Sequence, residues 1–108
     1  MGTKTRIPDI VGEIRQRLRL IYGAQLEKLL LYGSQARGEA QPGSDIDLMV
    51  VLKQFRDAEE ELTRMAPVAS ELSLKYDVVI SFLAIRTHDF NTRNTPLLLN
   101  IRREAVSV

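Results

Sequence analysis

Apolar residues recur along the chain with two different periods, and these periods predict the elements of structure. In the first segment they return every three or four positions, which is typical of one face of a helix; they are Ile7, Ile10, Val11, Ile14, Leu18 and Ile21. Gly23 is a suitable end for this helix. A last helix is predicted to open at Pro96 and to run to about Arg103.

The segment from Ala58 to about Leu72 also has helical spacing. Pro67 lies inside it and removes one backbone donor, so we expect a kink or a division into two helices. Glu61 and Arg64 are expected to face solvent. The first helix, which begins near Ile7, has no visible chemistry and is interpreted as scaffold.

Short apolar runs between the helical segments predict the strands of a sheet. We expect strands at Lys28–Tyr32, Ile46–Leu52 and Asp77–Ile85, with Val106–Val108 as an edge strand. The order α-β-β-α-β-α predicts the α/β (α+β) class, with a small mixed β-sheet flanked by helices. At 108 residues, the chain is expected to form a single domain, 1–108.

Composition excludes several kinds of site. Cysteine is absent, so disulfides, thiolate nucleophiles and cysteine-ligated zinc are excluded, and His88 alone cannot form a histidine metal site. The 15 basic and 14 acidic residues give a formal net charge of +1, so direct nucleic-acid binding is not expected. Because no apolar signal segment or membrane-length run is present, a cytoplasmic protein is predicted.

Two aspartates open the second predicted strand, whose other residues are apolar. Asp45 and Asp47 are separated by one residue, so their side chains point to the same face, with Cα atoms ~6.6 Å apart. Carboxylates in such a run need a positive group to neutralise them. Oxygen ligands favour Mg²⁺ or Mn²⁺ over zinc. Asp77, which begins the next predicted strand, is a candidate third carboxylate and a candidate base for an attacking hydroxyl.

The residues after the first predicted strand supply the second half of a candidate site. Gly33 allows phosphate oxygens to approach the backbone, and Ser34 adds a hydroxyl. Arg37 offers a forked donor to a phosphate or, with at least equal weight, to the acidic loop. Ser44, directly before the aspartates, is a further candidate for nucleotide binding. These parts together predict phosphoryl or nucleotidyl transfer.

Simpler interpretations exist for the same residues. Ser-Asp before a strand is ordinary turn chemistry, and Asp77 suits a turn between a helix and a strand. The tyrosines are expected to pack at the ends of elements rather than to stack on adenine; they are Tyr22, Tyr32 and Tyr76. The arginines near the C-terminus are expected to form a solvated face; they are Arg86, Arg93, Arg102 and Arg103.

Gly33–Gly38 (GSQARG) followed by Ser44–Leu48 (SDIDL) resembles the signature of the DNA polymerase β-like nucleotidyltransferase superfamily. The chain's length, LSLKYDVVI and the closing PLLLNIRREAV resemble its minimal nucleotidyltransferase (MNT) branch, the antitoxins encoded beside HEPN toxins. The resemblance covers nearly the whole chain. It implies that the metal-binding catalytic carboxylates are Asp45, Asp47 and Asp77, and that Gly33 and Ser34 hold the nucleotide phosphates.

The resemblance also implies an activity and a partner. We expect a Mg²⁺-dependent enzyme that moves AMP from ATP to a hydroxyl, a tyrosine of the HEPN toxin. Two alternatives stay open: an antitoxin that neutralises its partner by binding alone, and transfer to a small molecule such as an aminoglycoside.

Overall fold

The structure, a computed structural model, describes residues 7–33, 36 and 45–108, and its elements follow the predicted order with one additional short helix, Thr87–Thr92. The helices are α1 (Ile7–Tyr22), α2 (Ala58–Tyr76), α3 (Thr87–Thr92) and α4 (Pro96–Glu104). The strands are β1 (Leu26–Tyr32), β2 (Ile46–Leu52), β3 (Ile80–Arg86) and β4 (Val106–Ser107). Within these described residues, no helix combines the length and the apolar character that crossing a bilayer requires.

The described strands form one sheet in the order β3-β2-β1-β4, and the predicted mixed sheet is confirmed. Strand β2 is antiparallel to β1 and parallel to β3, while β4 pairs antiparallel with β1 at the edge. The end of β1 therefore lies beside the start of β2, at the same edge of the sheet as the start of β3. Tyr32 stands opposite Asp47, and Ser81 is the neighbour of Asp47 on the other side.

The two faces of the sheet bury two separate apolar clusters. Leu48, Val50 and Leu52 of β2 belong to the larger cluster, formed with α1 and α2. Met49 and Val51 face the opposite way and belong to the smaller cluster, whose other buried members are Leu30, Phe90, Leu98 and Ile101. Because side chains alternate along a strand, Asp47 points toward the smaller cluster and the helices α3 and α4.

Helix α2 differs from expectation in two respects. It runs as one helix through Pro67, so of the two expected alternatives, a kink or a division, the division is wrong. Glu61 is only 5% exposed rather than solvent-facing. Its carboxylate accepts hydrogen bonds from the hydroxyl of Tyr22 (2.9 Å) and from Nη1 of Arg64 (2.7 Å). A carboxylate with these two donors can be buried, and it ties the start of α2 to the end of α1.

Strand β3 begins later than the sequence pattern predicts, at Ile80 rather than Asp77. Asp77 ends α2 in the left-handed conformation (φ 54°, ψ 50°), and its N–H donates to the carbonyl of Ser73. Aspartate tolerates this conformation better than most residues. Val78 and Val79 therefore lie in the connection between α2 and β3, where the carbonyl of Val79 accepts a hydrogen bond from the N–H of Ile46 (2.8 Å).

Arg102 is exposed, as expected of a residue on a solvated face, and it also holds the connection between α3 and α4. Its guanidinium donates to the carbonyl of Phe90, to the carbonyl of Arg93 (2.8 Å) and to Oδ1 of Asn94 (2.7 Å). Hydrogen bonds from a charged donor are among the stronger ones in proteins. The position of α4 against the sheet is thus fixed at its side as well as by its buried face.

Candidate functional site

The centre of the candidate site is the pair of aspartates at the start of β2. Asp47 is half-buried on the α4 side of the sheet, and Asp45 is exposed directly before the strand. Burial raises the pKa of the Asp47 carboxyl above its ordinary value, and the charge of Asp45 raises it further. Both influences disfavour the ionised form of Asp47. The arrangement therefore favours an added positive charge beside these carboxylates.

Gly33 lies against the Asp47 carboxylate. It follows β1 with φ 77°, and a Cβ at this position would lie 2.7 Å from Oδ2 of Asp47, closer than real Cβ atoms approach other atoms. Its carbonyl accepts a hydrogen bond from the N–H of Ala36 (3.2 Å). Glycine is required here both for the backbone conformation and for the room that Asp47 occupies.

Tyr32 is a residue of this site that the sequence analysis did not include. It is half-buried at the end of β1, directly opposite Asp47. Burial raises the pKa of the Tyr32 phenol, and the negative charge of Asp47 adds to that effect. In the sequence, Tyr32 is marked only as the last residue of the apolar run before Gly33. Which residue of β2 faces Tyr32 is shown only by the antiparallel register of the two strands.

A cleft of about 150 Å³ opens beside these residues, between β1 and α4. The described residues that line it are Tyr32, Gly33, Leu97, Asn100, Ile101 and Glu104. Larger depressions of about 570 and 560 Å³ lie along the first turns of α2 and between α1 and β4, and neither is lined by Tyr32 or Gly33, the residues that lie directly beside Asp47. The position of the carboxylates, rather than volume, identifies the smaller cleft as the relevant one.

The other predicted site residues are distributed differently. Asp77 is exposed in the turn before β3. Within the described ranges, no three acidic or histidine side chains lie close enough together to hold a metal ion. The structure thus brings Gly33, Asp45 and Asp47 together, and the role of Asp77 as a third carboxylate stays a prediction. Ser34, Arg37 and Ser44 lie outside the described residues.

Comparison with known proteins gives a consistent family. The nucleotidyltransferase domain model matches residues 11–102, a range that includes Gly33 and all three aspartates. A Methanocaldococcus jannaschii protein named Putative protein adenylyltransferase MJ0141 is 33% identical over 75 residues, which are 69% of this chain and 75% of the relative.

Two solved structures share the fold. A toxin-antitoxin crystal structure with AMP-PNP gives a TM-score of 0.61 at 18% identity, covering 87% of this chain and 68% of that chain. The structure of tri-AMPylated Shewanella oneidensis HEPN toxin in complex with MNT antitoxin gives a TM-score of 0.54 at 15% identity, covering 91% and 70%. The fold that holds the aspartate pair is therefore one known from toxin-antitoxin complexes.

Proposed function

The chain belongs to the nucleotidyltransferase domain family, and we propose that it is an MNT antitoxin that moves AMP from ATP to a tyrosine hydroxyl of a HEPN toxin. The observation that carries this proposal is the repelling Asp45–Asp47 pair held against Gly33 at one end of the sheet. The AMPylated toxin and the bound AMP-PNP in the structural neighbours support the choice of acceptor and nucleotide.

Asp45 and Asp47 fit a divalent cation such as Mg²⁺ or Mn²⁺. Their carboxylates are the hard oxygen ligands that these ions prefer. A cation beside them would offset the burial and the repulsion that raise the pKa of Asp47. When bound, the metal would neutralise the triphosphate and orient it for attack. The two carboxylates would thus hold the metal, and the backbone at Gly33 with the hydroxyl of Ser34 would hold the phosphates.

The proposed reaction is a substitution at the α-phosphorus of ATP. The acceptor oxygen forms a bond to the α-phosphorus. The bond between the α-phosphorus and the oxygen that bridges to the β-phosphate breaks, and pyrophosphate leaves. The hydroxyl proton passes to a base, for which Asp77 is the candidate within this chain. Arg37 and Ser44 are proposed to contact the nucleotide.

The test of this function is transfer of label from α-labelled ATP to the purified toxin in the presence of Mg²⁺. We expect label on the toxin, and a loss of at least about 10²-fold in rate when Asp45→Asn and Asp47→Asn are combined. Glu59→Gln, an exposed acid in the first turn of α2, is the matched control and should transfer normally. Transfer that survives in the double variant would overturn the proposal.

The role of Asp77 has its own test, because its backbone already explains an aspartate there. If Asp77 only ends α2, Asp77→Gly suits the left-handed conformation and should leave transfer intact. If its carboxylate takes part in the reaction, Asp77→Gly and Asp77→Asn should both lose transfer while the protein stays folded. We expect the second result.

One observation favours a second function, neutralisation of the toxin by binding alone. The described residues bring together two carboxylates rather than three. In that case the Asp45→Asn, Asp47→Asn double variant would still neutralise the toxin fully in cells. Neutralisation that fails in this variant, while complex formation persists, would exclude binding alone.

A further inference from the structure

The cleft between β1 and α4 is lined by two residues that lie directly beside Asp47. Tyr32 stands opposite Asp47, and Gly33 lies against Oδ2 of the same carboxylate, and both residues line the cleft. Its other wall is α4, which contributes Leu97 and Asn100. A ligand whose phosphates lie at the aspartates therefore has this cleft within immediate reach.

The size of the cleft restricts what it can hold. Pockets that enclose a whole drug-sized ligand measure roughly 300–1,000 Å³, and this one measures about 150 Å³. It therefore has room for one flat group of a larger molecule and not for the whole of it. In a nucleoside triphosphate held by its phosphates, that group is the base.

The chemistry of the two walls suits a base. Tyr32 is half-buried and packs against the smaller apolar cluster, and this contact holds its ring in place. Leu97, on the opposite wall, leaves 46% of its surface exposed although it is apolar. Faces of this kind bind a flat aromatic ring by stacking and by burial of apolar surface.

Asn100, on the same wall as Leu97, adds hydrogen-bonding groups that can distinguish one base from another. It is exposed, and its Oδ1 accepts one hydrogen bond, from Nη2 of Arg103 at 3.2 Å. An amide carries two N–H donors and an oxygen with two lone pairs, so capacity for both donation and acceptance remains. A paired donor and acceptor of this kind matches an edge of adenine.

Helix α4 is held firmly enough to act as a binding wall. Oγ1 of Thr95 caps its start by accepting from the N–H of Leu98 (3.2 Å), and Arg102 fixes its side to the preceding turn. Leu98 and Ile101 are buried against the sheet. Asn100 is therefore presented from a positioned helix rather than from a loop.

We propose that this cleft is the base subsite of the nucleotide, in which Tyr32 and Leu97 enclose adenine and Asn100 selects it. The inference rests on the proposed function, because it takes ATP to be the ligand whose phosphates lie at Asp45 and Asp47. It assigns specificity to α4, which the aspartate motif does not include.

The test compares two probes that share their phosphates. Mg²⁺-ATP carries a base and Mg²⁺-tripolyphosphate does not, and the dissociation constant of each is measured by calorimetry. We expect Tyr32→Ala and Asn100→Ala each to weaken ATP binding by roughly tenfold and to leave tripolyphosphate binding unchanged. Asn100→Ala should also reduce the ratio of the dissociation constant of GTP to that of ATP. Tyr32→Phe keeps the ring and should bind ATP almost as the parent chain does.

Two controls keep the result interpretable. Asn91→Ala, on α3 and outside the cleft lining, should leave the binding of both probes unchanged. Leu97→Ser changes an exposed position without adding charge, so it tests the cleft if Tyr32→Ala fails to fold, and it should weaken ATP alone. If both probes bind and the dissociation constant of ATP is unchanged in the variants that alter the cleft, the inference is overturned. That result would leave the proposed function standing. Absence of binding of either probe to the parent chain would overturn both.

Discussion

Gly33 and Asp47 are coupled across the gap between two strands, since the carboxylate of one occupies the space that a side chain on the other would need. A Cβ added at position 33 would lie 2.7 Å from Oδ2 of Asp47, and only a movement of Asp47 or of the turn after β1 would relieve that contact. At the scale of single residues, the position of the Asp47 carboxylate therefore depends on the absence of a side chain at Gly33.

Gly33→Ala should lower stability and remove binding of Mg²⁺-ATP together. An alanine with φ 77° costs about 1–2 kcal/mol, and its Cβ displaces the Asp47 carboxylate. Gly23 provides the matched control, since it has φ 55° but a Cβ there would meet nothing within 4 Å. Thermal melts with and without Mg²⁺-ATP should show Gly23→Ala destabilised but still shifted by the ligand. An equal ligand shift in both variants would mean that the contact with Asp47 is unimportant for binding.

Asp47→Asn should make the metal-free protein more stable at neutral pH. Between the ordinary pKa near ~3.9 and the raised pKa of Asp47, the folded protein keeps a proton that the unfolded chain has released. The free energy of unfolding therefore falls as the pH rises through that range. The variant should not show this fall, and its Tm at pH 7 should be higher than that of the parent chain.

The same variant should lose most of the stabilisation that Mg²⁺-ATP gives the parent chain. A ligand at ~100 times its Kd adds ~2.7 kcal/mol. Melting curves from pH 3 to pH 7 would measure both effects, with Glu59→Gln as the control that should neither raise the metal-free Tm nor remove the shift. A metal-free Tm below that of the parent chain would contradict the argument from burial and repulsion.

Residue spacing is sufficient to predict part of this site. The separation of Asp45 and Asp47 by one residue is a local property, and the alternation of side chains along a strand places both on one face. Tyr32 was not predicted as a site residue because its neighbour depends on the register between β1 and β2. The buried place of Glu61 depends on a partner in another helix, Tyr22, and no local pattern contains that information.

At the scale of elements, Pro67 shows how packing decides a helix that local preference would interrupt. Met65 and Val68, on either side of the proline, are buried in the larger cluster, and Pro67 itself is exposed. Burial of the flanking turns holds the helix axis through the missing backbone hydrogen bond. The cost of the proline is a local property of the chain, whereas the burial that offsets it depends on the other elements of the fold.

Pro67→Ala should therefore stabilise the protein. Restoring a backbone donor and a residue of high helix propensity gains up to ~3 kcal/mol, from which the greater freedom of the unfolded chain removes ~0.4–1 kcal/mol. We expect a net gain of about 1–2 kcal/mol in urea unfolding. Ser70→Ala, exposed in the same helix, should gain less than ~0.5 kcal/mol. A loss of stability in Pro67→Ala would show that the proline's backbone geometry is itself required by the packing.

Most element boundaries were predicted closely, and the start of β3 was not. The first helix and Ile46–Leu52 were predicted as observed. The start of β3 was wrong because Val78 and Val79 favour strands by type, whereas the C-terminus of α2 requires a turn there. Tertiary context outweighed intrinsic preference at that position.

At the scale of the whole molecule, the sheet separates a scaffold side from a site side. Helices α1 and α2 cover one face, and ion pairs such as Arg17–Glu71 and Lys75–Glu13 join them. The other face carries Asp47, the cleft and the shorter helices α3 and α4. Because surface ion pairs contribute little, the scaffold depends mainly on its larger apolar cluster.

The site side should open before the scaffold side. Helix α4 buries only Leu98 and Ile101, and β4 pairs with β1 through two residues. Hydrogen exchange should therefore be faster for the amides of α4 and β4 than for those of β2, and Mg²⁺-ATP should slow it in α4. Mg²⁺-tripolyphosphate should leave α4 unchanged. Protection of α4 equal to that of β2 in the free protein would contradict this order.

The cleft joins residues that are made at very different times during synthesis. One wall is Tyr32 and Gly33, and the other is α4, far later in the chain. A nascent chain that already contains β1, β2 and α2 can form the larger apolar cluster, yet it has no second wall for a base. Selection of the base should therefore begin only after α4 has left the ribosome and docked, so that a chain still being translated binds ATP no more tightly than tripolyphosphate.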